Sequence, residues 1–173
     1  GSTAADRTAE LFDPTVGTGT FSNTGALPTG EDKRSHTAVL IGGASTNVGK
    51  VLISGGVTGA GAGTPTATQF LFSGGAFTAI SSLATARSNH AAISLPTDSV
   101  LICGGTSTGA NTLATCERYD PASGLGTMFP TAAMLQARKD FGLAPITLSS
   151  FVEILAAGSP SSPMNYAETY NTN

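Results

Sequence analysis

Two histidines, two cysteines and three widely spaced basic residues are the side chains of this 173-residue chain best suited to chemistry. His36 and His90 are its whole histidine complement. A zinc or copper centre needs three or four ligands. Each histidine follows a basic residue by three positions, Lys33 and Arg87, but the third such residue, Arg138, is followed by Phe141. A repeated pattern therefore accounts for both rings, and the missing third ring leaves no ligand set. Lys33, Arg87 and Arg138 recur in the same register, so they are expected to bridge neighbouring units or to bind backbone carbonyls. Cys103 and Cys116 lie thirteen residues apart. On a hairpin centred near Gly109 and Ala110 they face each other, either as a cross-strand disulfide, which suits an oxidising compartment, or as two small buried thiols. The corresponding places one unit earlier hold Ser54 and Gln69. No CxxC and no third ligand support a zinc or redox site. The glycine-rich runs Gly42-Gly43 and Gly59-Ala60-Gly61-Ala62-Gly63 precede no Lys-Ser/Thr and no helix, so they read as loops between strands, not as phosphate cradles.

The elements that hold these residues repeat. Glu10-Leu11-Phe12-Asp13-Pro14, Phe70-Leu71-Phe72-Ser73-Gly74, Glu117-Arg118-Tyr119-Asp120-Pro121 and Glu168-Thr169-Tyr170-Asn171 place aromatic residues at 12, 72, 119 and 170. Short strands centred on Phe21, Phe77 and Met128 follow the first three. Six residues after each centre stands an apolar anchor: Leu27, Leu83, Met134. Then come the basic residue, the ring, and an apolar run: Thr37 to Ile41, Ala91 to Leu95, Gly142 to Ile146. A second run closes on paired glycines in Val51 to Gly56 and Val100 to Gly105. It is weaker in Ile154 to Gly158, where Ala157 stands for the first glycine. Landmarks kept in step three times define a repeat of about 50 residues.

Each period holds four short strands broken by Gly, Pro, Asn and Asp, with no room for a helix and no helical period. That predicts antiparallel sheet, in units too small to cover both faces unless stacked radially. The pattern resembles the kelch repeat, in the bacterial form related to the central domain of galactose oxidase. The resemblance rests on RSNHAAISL, on ISGG and ICGG, and on AELFDP and CERYDP, and runs from about Thr8 to Asn171. It implies an all-β, kelch-type β-propeller with the ring-bearing strand innermost, the Gly-Gly strand second and the aromatic signature strand third. Its aromatic is expected between blades. Pro145, inside the third inner strand, is expected to weaken or bulge it. Galactose oxidase holds copper with Tyr, His and a cysteine-modified Tyr outside the shared repeat. No motif here matches those, so the resemblance brings no catalytic residue and no cofactor is expected.

Residues 1–7 read as tag or linker, with Gly1-Ser2 a cloning remnant and any secretion signal lying outside the sequence. Residues 8–173 form one domain with repeats at about 8–56, 66–105 and 113–158 and a partial one at 164–171. The strands number thirteen, or about three blades, whereas rings close with four to eight. Closure by a second copy is therefore expected: a homodimer is favoured, and a homotrimeric fibre tip or a fragment of a longer propeller are alternatives. Only 11% of residues are charged and the net charge is −3, without basic clusters, which argues against nucleic acid or an anionic membrane surface. No apolar run approaches the ~20 residues of a membrane span. The Thr/Ser/Gly-rich, low-charge style points outside the cell or to a bacterial cell surface. The expected role is recognition of a glycan or protein, as in adhesion, through the loops Val57 to Thr66 and Thr106 to Thr112 and the residues Asp32, Asn47, Asn89 and Asn111. The rival reading is part of a larger oxidase-like or glycan-processing propeller with its catalytic residues elsewhere.

Overall fold

A computed structural model describes residues 7–59, 62–122, 124–147, 152–158 and 167–172. Residues 1–6, Ala60, Gly61 and positions 164–166 of the partial repeat lie outside the described residues. The described chain is strands and turns without α-helix. Strands β1 (Thr8–Asp13) and β2 (Thr20–Ala26) form sheet I. Sheet II is β3 (Thr37–Leu40), β4 (Val51–Ser54), β7 (Gln69–Ser73) and β8 (Ala76–Ala79). The small hairpin β5 (Val57–Thr58) and β6 (Thr64–Pro65) interrupts it in sequence. Sheet III is β9 (Ala91–Ser94), β10 (Val100–Cys103), β11 (Cys116–Asp120) and β12 (Thr127–Pro130). Sheet IV is β13 (Gly142–Thr147), β14 (Val152–Ala157) and β15 (Glu168–Asn171). All pairings are antiparallel between sequence neighbours, β4 and β7 being joined across the small hairpin.

Sheets pack face to face in chain order, with β3 beside β9 and β9 beside β13, and do not close into a ring. Period-two alternation on β10 explains how one strand serves two interfaces. Val100 and Ile102 join Ile41, Leu52, Leu71, Leu83 and Tyr119 between sheets II and III. Leu101 and Cys103 join Leu95, Cys116 and Ile154 between sheets III and IV. Tyr119 is fully buried there, and its hydroxyl donates to the Leu125 carbonyl at 3.0 Å. Burial pushes its phenol up to about 12.

Three expectations change. The loop from Val57 to Thr66 carries the β5–β6 hairpin, anchored by reciprocal backbone bonds between Val57 and Arg34. Pro145 pairs in unbroken register with Ile154, because β13 is an edge strand and a proline without N–H is tolerated on its open side. The third repeat does keep its first glycine. The carbonyl bonded by Arg87 is that of Gly104, and Lys33 takes Gly55; the carbonyl bonded by Arg138 is that of Gly158. Gly158 is thus the first glycine of its pair, Ala157 matches Cys103 and Ser54, and the second glycine position falls on Ser159, outside the described residues.

Candidate functional site

The three basic residues build the frame. Arg87 is fully buried; it donates to the carbonyls of Gly104 and Thr115 and to the Glu117 carboxylate at 2.8 Å. Glu117 also accepts from the backbone N–H groups of Ala84 and Thr85, so one strand-three carboxylate clamps the segment that leads into strand one. Sheet IV repeats this: Glu168 takes Arg138 at 2.9 Å and the N–H of Leu135. In sheet II the carboxylate position holds Phe70, and the ammonium of Lys33 lies 5.5 Å from the centre of its ring. Glu31 supplies the missing charge at 3.1 Å. Burial still holds the Lys33 pKa below its ordinary value, with Glu31 opposing. These cations are structural ties, as their register implies.

The residue before each ring, Ser35, Asn89 and Asp140, has φ of 52°, 53° and 52°. A left-handed conformation at three non-glycine residues in the same repeat position is not accidental strain. It turns successive peptides towards one another: the N–H of Asn89 donates to the Ser35 carbonyl at 3.1 Å, and the N–H of Asp140 to the Asn89 carbonyl at 2.9 Å. The Asn89 amide also donates to Asp140 Oδ1 at 2.7 Å, leaving its own oxygen without a partner among the described residues. A stair of peptides thus links the starts of the three inner strands.

Beside this stair lies a pocket of about 380 Å³. The β5–β6 hairpin forms one wall through Val57, Gly63 and Pro65, and the loop Thr106 to Ala110 the other. Its polar groups come from Ser35, Ser88, Asn89, Ser107 and Lys139. Lys139 is exposed and has no ion-pair partner among the described residues. The arrangement places hydroxyl, amide and ammonium groups around a floor of backbone.

The expected ligand residues separate. Asn89 lines the pocket. Asn111 is exposed in the adjoining turn, where its carbonyl accepts from the N–H of Ser107, but is not part of the wall. Asp32 is buried and accepts from the N–H of Gly59 at 3.3 Å, which ties down the hairpin. Asn47 is not available to a ligand. It is fully buried at the other end of the sheets, where its amide donates to the carbonyls of Pro121 and Gly124 and its oxygen accepts from Lys50. The residue missed is Lys139; the signal was Arg34 in the same register, since the pattern carries a second basic position after the first.

Cys103 and Cys116 stand opposite each other on β10 and β11 and form a disulfide, with Cα atoms 4.1 Å apart. Sheet II has Ser54 and Gln69 in the same register, where the Ser54 hydroxyl donates to Gln69 Oε1 at 2.7 Å. His90 is buried, with Nε2 sharing a hydrogen bond of 2.9 Å with the Thr37 hydroxyl and Nδ1 unpaired. Burial, then the charge of Arg87, brings its pKa down to about 3. His36, in the same register on sheet II, is exposed.

The fold recurs among solved structures. A fungal alcohol oxidase of the AA5 family, determined in complex with copper, superposes with a TM-score of 0.67 at 21% identity, over 88% of this chain and 32% of that one. The chain therefore spans about a third of that oxidase's length, and at this identity the likeness shows the fold alone. No protein-family model matches the chain, and no curated protein matches it. Among the described residues no three His, Cys, Asp or Glu side chains converge, and both thiols are joined in the disulfide.

Proposed function

We propose that the chain is an arc of a kelch-type β-propeller that acts as a recognition module, binding a glycan in the pocket between the β5–β6 hairpin and the loop Thr106 to Thr112. The observation that carries this is the convergence of Asn89, Ser35 and Lys139 at the starts of the inner strands, where the peptide stair fixes their positions. Its volume of about 380 Å³ suits one or two sugar rings. The disulfide favours a location outside the cell, in keeping with a surface-adhesion role. A glycan array with the purified chain tests the reading. Binding of a defined glycan that weakens at least tenfold in K139A and in N89G, a change that also relieves the positive φ, supports it. No glycan bound, or binding indifferent to both changes, overturns it.

A second reading is favoured by the likeness to the copper oxidase: the chain as one part of a larger oxidase-like propeller whose catalytic residues lie elsewhere. Oxidase activity in a longer protein that contains this chain, lost on changes outside it, would favour this reading over the recognition module.

A further inference from the structure

Sheets I and IV are complementary halves. In sheet I, β1 pairs only with β2 among the described residues, which place no strand on the edge where a second strand sits in sheets II and III. In sheet IV, β15 pairs only with β14 among the described residues, which place no fourth strand beside it. Three features show what fits between them. Glu10 holds the register of Glu117 and Glu168, each of which takes a guanidinium and backbone N–H groups, yet Glu10 is exposed and has no partner among the described residues. Phe12 and Phe21, paired at 4.9 Å, are 51% and 68% exposed, whereas Tyr119, in the register of Phe12, is fully buried. Beside Tyr170, which shares that register, an apolar groove of about 630 Å³ runs along Met134, Leu143 and Ile154, where the counterpart of Phe21 would lie. The hairpin has the shape, the ring and the charge that this groove and Arg138 would receive.

We infer that a second copy of this chain completes sheet IV: the β1–β2 hairpin of one copy docks on β14 of the next in place of β15, which forms one wall of the groove, so that Phe12 takes the place of Tyr170 and Glu10 takes over Arg138 from Glu168. The exchange is favourable because β15 pairs through four residues, whereas β1 brings a longer strand with its own fourth strand already attached. Each copy then supplies three blades, and two copies close a six-bladed ring, within the range that propellers adopt. The inference takes the propeller arrangement from the reading above, but not the glycan.

The register supplies the test. Ala9 and Ala157 stand where Cys116 and Cys103 stand in sheet III, so a chain carrying A9C and A157C would reproduce that disulfide between copies. After oxidation a covalent dimer is expected, and light scattering of the unaltered chain should show about twice the monomer mass. E168Q, which loosens the resident strand, should tighten dimerisation at least tenfold, and E10R should weaken it by a similar factor. A monomer at every concentration, a cross-link confined to one chain, or a trimer would each overturn the inference, the last in favour of a fibre tip. A glycan-binding failure leaves these outcomes untouched, so the two readings fail separately.

Discussion

His90 sits where a charge cannot. Burial and the neighbouring Arg87 hold it neutral, with a pKa of about 3 against an ordinary value near 6.5. The sign follows from proton counting. Between about pH 6.5 and 3 the unfolded chain binds a proton that the folded chain refuses, so stability falls as pH falls, by about 1.4 kcal/mol per unit. Phe141 occupies the same position in sheet IV, so H90F should fold and lose this slope. Urea unfolding at pH 7, 6 and 5 checks it: the wild type should lose ground to H90F as the pH drops, and parallel curves would refute the assignment. The histidine itself was legible from its repeat position. That it would be the buried member of the pair was not, because both rings hold the same repeat position and burial is set by the neighbouring sheet: His90 meets Thr37 of sheet II, whereas His36 is exposed. Asn47 misled for a related reason: an asparagine in a glycine-rich turn looks exposed until a neighbouring turn covers it.

A strand pair can be locked in more than one way at the same register. Sheet III uses the Cys103–Cys116 disulfide where sheet II uses the hydrogen bond from Ser54 to Gln69. C103S/C116Q should therefore fold, less stable by about 2–3 kcal/mol through lost loop constraint, and its melting temperature should not respond to reductant. A wild-type melting temperature equally indifferent to reductant would mean that the bond contributes nothing. The third-strand signature and thirteen of the fifteen described strands were legible from spacing, because turns and glycines punctuate the sequence at each boundary, whereas the order of strands within a sheet came only from the kelch resemblance. The β5–β6 hairpin did not. Two-residue strands carry no alternation, and this one depends on the bridge from Val57 to Arg34, which is set by the tertiary fold.

At the paired glycines the approach of neighbouring sheets is set first by backbone. A methyl group on Gly104 would come within 2.5 Å of the Arg138 carbonyl at a φ of 67°, whereas on Gly158 the nearest atom is 3.5 Å away. G104A should thus cost about 2–4 kcal/mol and G158A about 1–2 kcal/mol, measured by chemical denaturation. Equal costs would show that conformational strain alone decides. The sequence misassigned this glycine by one position, since Ala157-Gly158 reads as a decayed Gly-Gly. Only the carbonyl that receives Arg138 identifies which residue does the work.

The peptide stair through Ser35, Asn89 and Asp140 has a direction: it begins in an N–H with no acceptor and ends in a carbonyl with no donor among the described residues. Such a run is a polar thread, and like ends of it repel. Two arcs pressed together start to start, or end to end, would set donor against donor or acceptor against acceptor. If copies assemble as inferred above, growth is restricted to one sense around the axis, in which the Ser35 end of each newcomer meets the Asp140 end of its predecessor. If the thread bites its own tail after two copies, growth stops there. If the pitch is too great to meet, the same rule winds the copies into a screw, and the protein becomes a filament with two chemically different tips.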